Sequence, residues 1–325
     1  MPTMRAQVLT APGRLEYQTM DAPACGPDQI LVRLQTACLC NGSDPLLVRA
    51  EPPTALPQVF GHEPFGVVVE CGSAVQGLQP GDRVSWWFSV GAFAEYVAVT
   101  PNDIAVGRLP ESIPAREAPL IELAAAAGRA VHAVPVGPGS RVLIVGLGPS
   151  GLLMCQQAKA MGAGLVVGWD LYPMRREKGL ALACDAVYDP LAERLVETVR
   201  ADVGELDIAI DAMGNDQTPG EPTLDQAVQA LRRGGEVVLY GHPSRGRRFD
   251  SRRFQSRSAV MRSPVQDMDR VRQIMDEQVA LAASGRLNLG ALITHEIPLS
   301  EVPRGMELIT EHPGECIKVI VRIAD

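Results

Sequence analysis

At 325 residues, the chain is long enough to bury a large core and is expected to form two domains. Apolar residues make up 46% and charged residues 21%, which is ordinary for a globular protein. The net charge of -8 argues against general binding to nucleic acid, and no apolar run is long enough to span a membrane.

The cysteines and the first residues indicate a compartment. Seven cysteines are scattered along the chain, and their odd number does not suggest a disulfide framework. Residues 1–5 lead into a strand-like segment without the apolar region of a signal peptide. We therefore expect a reduced, cytoplasmic protein.

The first 120 residues are predicted to be mostly β-structure. Short Val-rich stretches broken by Gly and Pro are typical of strands, and they cover 29–34, 66–70 and 83–87. Pro80-Gly81-Asp82 predicts a turn between the last two of these strands.

From about residue 124 to residue 261, predicted strands and helices alternate. The strands are Arg141–Val145, Gly164–Trp169, Ala186–Tyr188, Asp207–Asp211 and Glu236–Tyr240, and the helices include Pro149–Met161 and Thr223–Arg232. This alternation indicates βαβ units and a parallel, doubly wound sheet. The remaining residues predict a long helix, Met268–Ser284, and a final strand, Ile317–Ile323.

A glycine-rich motif joins the first strand of this region to its first helix. The strand is followed at once by Gly146-Leu147-Gly148-Pro149-Ser150-Gly151, and Asp170 lies 19 residues beyond the last glycine. In this context GxGxxG is a dinucleotide-binding motif, in which the first two glycines permit a tight turn near the diphosphate and the third permits close packing. The helix N-terminus offers N–H groups to the phosphates. Without a ligand, the motif would form only a tight turn.

Asp170 bears on which dinucleotide is bound. A carboxylate at this position accepts hydrogen bonds from the adenosine ribose and would repel a 2′-phosphate, which favours NAD. Arg175 and Arg176 follow shortly, and they keep NADP open as the alternative because arginines can hold a 2′-phosphate.

A second set of chemically suited side chains is spread through the first 122 residues. It comprises Cys40, the pair His62 and Glu63, and Glu122. Thiolate, imidazole and carboxylate are ligands that zinc accepts, and a catalytic zinc site keeps one position open. Zinc can lower the pKa of a bound alcohol as a Lewis acid. Taken singly, each residue also has a structural explanation, as a buried thiol, a core histidine or a surface carboxylate.

Several stretches resemble the signature of the zinc-containing alcohol dehydrogenases, which belong to the medium-chain dehydrogenase/reductase superfamily. They are Phe60–Val75, Pro80–Val84, Gly91–Val97, Asp207–Gly214 and Arg233–Leu239. The resemblance implies an α/β fold in which a Rossmann doubly wound parallel sheet, residues 124–265, is inserted into a GroES-like, β-rich catalytic domain. That domain would comprise residues 1–123 and 266–325.

The resemblance also implies roles for the candidate ligands. His62 matches the family's zinc histidine, and Glu63 matches its neighbouring acid, a reserve ligand. Glu122 matches the glutamate that replaces a cysteine ligand in the sorbitol and threonine dehydrogenase branches. One zinc ion would then be bound by Cys40, His62 and Glu122.

Cys40 matches the first zinc ligand with a departure from the family pattern. The usual Cys-Gly-Ser/Thr-Asp is replaced by Cys40-Asn41-Gly42-Ser43-Asp44. An alignment that keeps Gly-Ser-Asp in register puts Asn41 at the cysteine position. We prefer Cys40, because thiolate binds zinc well and a one-residue loop insertion is easily absorbed.

Two features of some family members are missing. The four-cysteine structural zinc lobe is absent, since only Cys71 lies between Cys40 and Cys155, and at most one zinc site is expected. The histidine that relays protons to solvent is missing too. Ser43 could pass the substrate proton to the nicotinamide ribose or to water, with help from Asp44, although a turn residue is an equal alternative.

The resemblance implies a zinc-dependent oxidoreductase that transfers a hydride between NAD(H) and a secondary alcohol or ketone. A polyol, sugar derivative or amino alcohol is the expected small-molecule substrate, and a homodimer is the expected assembly. Trp86, Trp87 and Phe88 would pack in the core, line an apolar pocket or stack on a sugar.

Two other functions are alternatives to a zinc-dependent dehydrogenase. The alternatives are a zinc-free, NADPH-dependent quinone or enoyl reductase of the same superfamily and a non-catalytic nucleotide-binding protein.

An arginine-rich segment is expected to form a solvated basic surface or, alternatively, to contact an anionic group. Its arginines are Arg245, Arg247, Arg248, Arg252, Arg253, Arg257 and Arg262.

Overall fold

A computed structural model describes residues 3–51, 53–87, 89–214, 221–241 and 247–324. The strands are β1 (Thr3–Ala11), β2 (Arg14–Asp21), β3 (Ile30–Cys38), β4 (Gln58–Val59), β5 (Glu63–Cys71), β6 (Arg83–Trp87), β7 (Tyr96–Val99), β8 (Ala105–Arg108), β9 (Arg141–Val145), β10 (Leu165–Trp169), β11 (Ala186–Tyr188), β12 (Leu206–Asp211), β13 (Leu231–Leu239), β14 (Val260–Arg262), β15 (Ile293–Pro298) and β16 (Lys318–Arg322). The α-helices are α1 (Asp44–Leu47), α2 (Leu120–Val131), α3 (Pro149–Ala160), α4 (Pro173–Leu182), α5 (Leu195–Val203), α6 (Thr223–Ala230), α7 (Ser251–Arg257), α8 (Met268–Ala283) and α9 (Val302–Glu311). Among the described residues, no helix combines the length and the apolar character needed to cross a membrane.

The first of two compact units comprises Met1–Ala125 and Asp267–Asp325. Its larger sheet has the strand order β15-β16-β3-β5-β6-β8, with β7 also paired to β3, and its smaller sheet has the order β2-β1-β4. Alternate side chains of these strands enter one core, which includes Leu34, Val84 and Trp86. The prediction of a β-rich first part is confirmed.

The centre of the larger sheet positions the predicted metal ligands. β3 and β5 are antiparallel, and Cys38 lies opposite Glu63. On its other side β3 pairs with β16, where Ile320 lies opposite Cys38. The Leu39 N–H donates to the Val319 carbonyl at 3.1 Å, which continues this pairing beyond the end of β3. The chain that follows β3, the start of β5 and the start of β16 therefore meet at one end of the sheet.

The second unit comprises Ala126–Gln266 and contains one six-stranded sheet in the order β11-β10-β9-β12-β13-β14. All its strand pairs are parallel. The chain begins at β9, adds β10 and β11 on one side, and then adds β12 to β14 on the other. This order is that of a doubly wound dinucleotide-binding sheet, with the switch point between β9 and β12. The predicted fold class is confirmed.

One predicted helix ends earlier than its sequence suggests. Helix α6 stops at Ala230, and the next residues through Leu239 form β13, although the pattern predicts helix through Arg232. Leu231 is fully buried and pairs with Leu206 of β12, so burial in the sheet outweighs helical periodicity.

The arginine-rich segment forms ion pairs within the second unit. The pairs are Arg252 with Asp250, Arg253 with Glu221, Arg257 with Glu205 and Arg262 with Glu236. Arg247 differs, because its buried Nε lies 2.7 Å from Oδ2 of Asp211. Carboxylates thus neutralise much of the predicted basic surface, and Arg245 lies outside the described residues.

Two of the three aromatic residues in the run at the end of β6 are described, and they differ in burial. Trp86 is 1% exposed and belongs to the core of the first unit. Trp87 is half-buried, and Phe88 lies outside the described residues. Core packing therefore accounts for Trp86, as the abundance of buried tryptophan in folded proteins suggests.

Candidate active site

Three of the predicted metal ligands lie together in the first unit. Cys40, His62 and Glu63 each offer one ligand atom, and these atoms lie within 4.8 Å of one another. Cys40 follows β3, while His62 and Glu63 stand at the start of β5, so the antiparallel pairing of these strands produces the cluster. A thiol, an imidazole and a carboxylate form a ligand set that zinc accepts.

Asp44 holds two of these ligands in place. Its Oδ2 accepts a hydrogen bond from the Cys40 N–H at 2.8 Å, and its Oδ1 lies 3.2 Å from Nδ1 of His62. The Asp44 side chain is fully buried at the start of α1. A carboxylate on Nδ1 orients the imidazole and directs Nε2 toward a metal. Asp44 therefore positions the ligands and does not reach solvent.

Ser43 lies on the other side of the histidine ring. Its Oγ is 3.0 Å from Nε2 of His62. This contact places the hydroxyl at the nitrogen that a metal would bind. The role of Ser43 in proton transfer stays a prediction.

The electrostatic surroundings alter the protonation of the cluster. Burial lowers the pKa of His62, but the charge of Asp44 and hydrogen bonds with Asp44 and Cys40 outweigh burial and hold this pKa well above its ordinary value. Burial and the neighbouring charge of Glu63 raise the pKa of Glu122 to about 8. While no cation is bound, Glu122 therefore keeps its proton at neutral pH, and the surroundings of His62 favour its protonated form.

Glu122 lies close to the cluster but outside the three-ligand group. It is 4% exposed in the first turn of α2, and its charge interacts with Glu63, His62 and Lys318. The described His, Cys, Asp and Glu side chains whose ligand atoms lie within 4.8 Å of one another do not include it. Its role as the third zinc ligand stays a prediction.

Lys318 is a residue of this site that the sequence analysis missed. Its Nζ lies 2.5 Å from Oε2 of Glu63, and both side chains are fully buried. Burial lowers the pKa of Lys318, but the charge of Glu63 outweighs burial and holds it above its ordinary value. The available signal was a lysine inside an apolar run, Cys316–Val321, because a lysine in such a strand needs a partner.

The donor set fits a divalent zinc ion. Four acidic side chains converge here, namely Cys40, Asp44, Glu63 and Glu122, and Lys318 is a buried cation facing them. Oε2 of Glu63 faces Lys318, whereas Oε1 of Glu63 is buried without a hydrogen-bond partner. A soft thiol beside an imidazole favours zinc over magnesium or calcium. A zinc ion could therefore replace protons that His62 and Glu122 hold in the metal-free cluster.

The Cys40–Asn41 alternative can be described from the same region. The Cys40 thiol belongs to the three-ligand group. The side-chain nitrogen and oxygen of Asn41 are buried without a hydrogen-bond partner. The choice of Cys40 as first ligand stays a prediction.

The glycine-rich motif lies in the second unit between β9 and α3. Gly146 has φ +94°, which a residue with a side chain rarely adopts. A Cβ on Gly151 would lie 1.9 Å from the Gly146 carbonyl oxygen, so only glycine permits this packing. A Cβ on Gly148 would meet nothing closer than 3.8 Å. The fold itself therefore leaves space for a side chain at Gly148. This is expected of a glycine whose backbone a ligand approaches closely. Pro149 and Ser150 form the first turn of α3.

Asp170 is more constrained than the sequence suggests. Its Oδ2 accepts a hydrogen bond from the Leu147 N–H and its Oδ1 from the Tyr172 N–H, both at 2.8 Å. Burial raises the pKa of Asp170 above its ordinary value, against the opposing charge of Arg175. Nη1 of Arg175 lies 3.9 Å from Oδ2 of Asp170. Asp170 thus supports the glycine-rich loop, and its role in binding the ribose stays a prediction.

The structure supports binding of the 2′-phosphate of NADP less for Arg176 than for Arg175. The Arg176 guanidinium donates to the Asp170 and Leu171 carbonyls and lies 3.3 Å from Oδ2 of Asp189. These contacts hold the chain that enters α4. Arg175 is therefore the arginine of this pair that faces the carboxylate of Asp170.

The chain is similar to known dehydrogenases over most of its length. Residues 26–111 match the family model described as alcohol dehydrogenase GroES-like domain, and residues 149–280 match the one described as zinc-binding dehydrogenase. The chain is 25% identical to sorbitol dehydrogenase of Bacillus subtilis, covering 98% of this chain and 97% of that protein. It is 26% identical to L-galactonate-5-dehydrogenase of Escherichia coli, covering 99% of both.

A solved structure extends the likeness to three dimensions. It is described as a zinc-binding dehydrogenase from Sinorhizobium meliloti 1021 bound to NADP. The TM-score is 0.86 at 25% sequence identity, and the match covers 99% of this chain and 100% of that chain. Both units of the present chain therefore have counterparts in one solved structure.

Proposed function

Because the chain belongs to the zinc-containing alcohol dehydrogenases of the medium-chain dehydrogenase/reductase superfamily, we propose that it oxidises a secondary alcohol of a polyol, sugar derivative or amino alcohol with NAD, or reduces the ketone. It is an oxidoreductase with a small-molecule substrate. The observation that carries the proposal is the cluster of Cys40, His62 and Glu63, with Asp44 holding two of its members.

Cys40, His62 and Glu122 would hold the zinc ion, with Glu63 as a reserve ligand. When bound, zinc supplies Lewis-acid polarisation of the substrate oxygen. Asp44 lies 3.2 Å from Nδ1 of His62 and accepts a hydrogen bond from the Cys40 N–H, so it would orient the imidazole and fix the backbone at Cys40 before metal binds. The 2.5 Å contact between Nζ of Lys318 and Oε2 of Glu63 would keep Glu63 from binding zinc except as a reserve ligand.

Ser43 is the proposed first acceptor of the substrate proton. Its Oγ lies 3.0 Å from Nε2 of His62, so it is next to the position that the substrate oxygen would approach. A serine hydroxyl can accept one proton while donating its own, which suits transfer to the nicotinamide ribose or to water. Asp44 is fully buried, and its proposed part is positioning.

Gly146, Gly148, Pro149, Ser150 and Gly151 are the proposed binding site for the diphosphate of the dinucleotide. The N-terminus of α3 supplies the N–H groups. When bound, the nicotinamide ring would supply the hydride acceptor, and these residues would contribute its orientation.

Asp170 supports a preference for NAD, because its buried carboxylate would repel a 2′-phosphate. Arg175 keeps NADP as the alternative, and the matched structure from Sinorhizobium meliloti contains NADP. The ratio of kcat/KM for NAD to that for NADP tests the preference. A ratio below one would contradict it.

Metal analysis combined with a substrate panel tests the proposal. Protein purified without chelator should contain about one zinc per chain and should turn over at least one polyol or related alcohol. Active protein without metal would support the zinc-free reductase instead. Binding of dinucleotide without turnover of any tested alcohol or ketone would support the non-catalytic alternative.

The Cys40→Ser variant tests the assignment of the first ligand. We expect it to lose both zinc and turnover, because a hydroxyl is a much poorer zinc ligand than a thiolate. Cys25→Ser is the matched control, since Cys25 is a half-buried cysteine of the same unit that lies outside the ligand group. A fully active, metal-free Cys40→Ser protein would contradict the assignment.

A homodimer formed through β14 is the proposed assembly. This strand lies at the edge of the parallel sheet, with Val260 43% and Met261 38% exposed. An exposed apolar edge strand can pair with a second copy. Light scattering should give twice the chain mass, and Val260→Lys should give the monomer. A monomeric parent protein would contradict this proposal.

The cytoplasmic location stays a prediction, and all seven cysteines are free thiols.

A further inference from the structure

Tyr240 lies at the carboxyl ends of the parallel strands. An open α/β sheet binds its ligand at this end of the strands. Tyr240 directly follows β13, and its N–H donates to the Asp211 carbonyl at 3.0 Å. The next N–H, from Gly241, donates to the same carbonyl at 2.8 Å. The backbone of Tyr240 is therefore fixed against the end of β12.

The side chain of Tyr240 reaches the glycine-rich loop. Its hydroxyl lies 3.2 Å from Oγ of Ser150, in the first turn of α3. β13 and β9 are separated by β12, which corresponds to about 10 Å at the usual strand spacing of about 4.8 Å. The tyrosine must therefore extend across the carboxyl end of β12, beside the switch point between β9 and β12.

The loop and the end of β12 are in close contact at this point. A Cβ on Gly146 would lie 3.2 Å from the backbone of Ala212 and Met213, which follow β12. Dinucleotides cross an open sheet at such a switch point, with the diphosphate at the helix N-terminus. The two hydroxyls of Tyr240 and Ser150 thus stand where the proposed diphosphate site requires donors.

We propose that Tyr240 is a cofactor-binding residue whose hydroxyl, paired with that of Ser150, donates a hydrogen bond to the diphosphate of the dinucleotide. The inference rests on the proposed dinucleotide site and adds a residue from outside the glycine-rich motif. Each hydroxyl carries one O–H, so one can donate to its partner while the other donates to a phosphate oxygen. Hydrogen bonds to a charged acceptor are stronger than those to a neutral one.

Calorimetric titration of the full-length protein with ADP-ribose and with adenosine tests this inference. Tyr240→Phe removes one hydroxyl and keeps the ring. We expect it to weaken ADP-ribose binding by about 10- to 100-fold, which is typical for loss of a hydrogen bond to a charged group. Adenosine has no phosphate, and its affinity, measured by competition, should change less than about threefold.

Two further variants test the pairing of the hydroxyls. Ser150→Ala should also weaken ADP-ribose binding, and the double variant should lose less than the product of the two single effects. Tyr188→Phe is the control, because it deletes a tyrosine hydroxyl of the same unit that contacts Asp202 at 3.1 Å. It should leave ADP-ribose binding unchanged.

Several outcomes would overturn the inference. Equal weakening of adenosine and ADP-ribose binding by Tyr240→Phe would indicate a purely structural role. Unchanged or tighter ADP-ribose binding would show that the hydroxyl makes no useful contact, and fully multiplicative effects would show that the hydroxyls act separately. A parent protein that binds neither compound would instead contradict the proposed dinucleotide site.

Discussion

Replacing Lys318 by methionine removes the positive charge that faces Glu63. The Nζ–Oε2 distance is 2.5 Å, and both side chains are fully buried. Loss of one partner of a buried pair typically costs about 3–5 kcal/mol, because the other charge is left without compensation. We therefore expect Lys318→Met to lower the free energy of unfolding of the metal-free protein by about 3–5 kcal/mol.

A double-mutant cycle separates this interaction from the loss of packing. Glu63→Gln combined with Lys318→Met removes both charges, and this double variant should be more stable than Lys318→Met alone. The coupling energy should be at least about 2 kcal/mol. Lys159 and Asp185 provide the control cycle, because their charged atoms lie 2.6 Å apart but their side chains are 32% and 40% exposed. An exposed pair should give less than about 1 kcal/mol.

Urea unfolding in the presence of a chelator, followed by tryptophan fluorescence, measures each free energy. Trp86 reports on the unit that contains the pair, and Trp169 reports on the unit that contains the control. Zinc should reduce the destabilisation by Lys318→Met, because a bound cation supplies positive charge beside Glu63. A coupling energy for Glu63 and Lys318 as small as that of the control would refute the reasoning.

Three further predictions concern the metal and dinucleotide sites. Zinc affinity should fall by at least about 10-fold from pH 7.5 to pH 6.5, because zinc displaces protons from His62 and Glu122, whose pKa values are raised. Competition with a chromophoric chelator measures the affinity, and a pH-independent affinity would contradict the prediction. Asp44→Asn should weaken zinc binding by about 10- to 100-fold through loss of the carboxylate on His62, whereas parental affinity would show that Asp44 has no positioning role. Gly151→Ala should abolish NADH binding while leaving zinc content unchanged, because its Cβ would overlap the Gly146 carbonyl; fluorescence titration tests this. Gly148→Ala has room for its Cβ and should melt like the parent, and a large loss of stability there would contradict the geometry.

The sequence predicts best where a local pattern determines the structure. The glycine-rich motif predicts the β9–α3 turn because its conformation depends on positive φ at Gly146 and on the absence of a side chain at Gly151. The alternation of strands and helices likewise predicts the parallel sheet, since each element must bury one face.

The sequence is less informative where distant residues meet. Lys318 contacts Glu63 across a separation of 255 residues, and no local pattern indicates which carboxylate a buried lysine will face. The early end of α6 has the same cause, because Leu231 pairs with Leu206 on another strand. Asp44 is adjacent to Ser43 in the motif, yet its contact with His62 depends on how β5 is placed.

The proposed function depends on a catalytic metal that the Cys40 thiolate binds together with His62. The absorption spectrum of the cobalt-substituted protein tests it directly, because a cobalt–thiolate bond gives a charge-transfer band that nitrogen and oxygen ligands do not give. We predict this band for the parent protein and for Cys25→Ser, and its loss in Cys40→Ser. A band that persists unchanged in Cys40→Ser, or that is missing from the cobalt-loaded parent protein, would contradict Cys40 as a metal ligand.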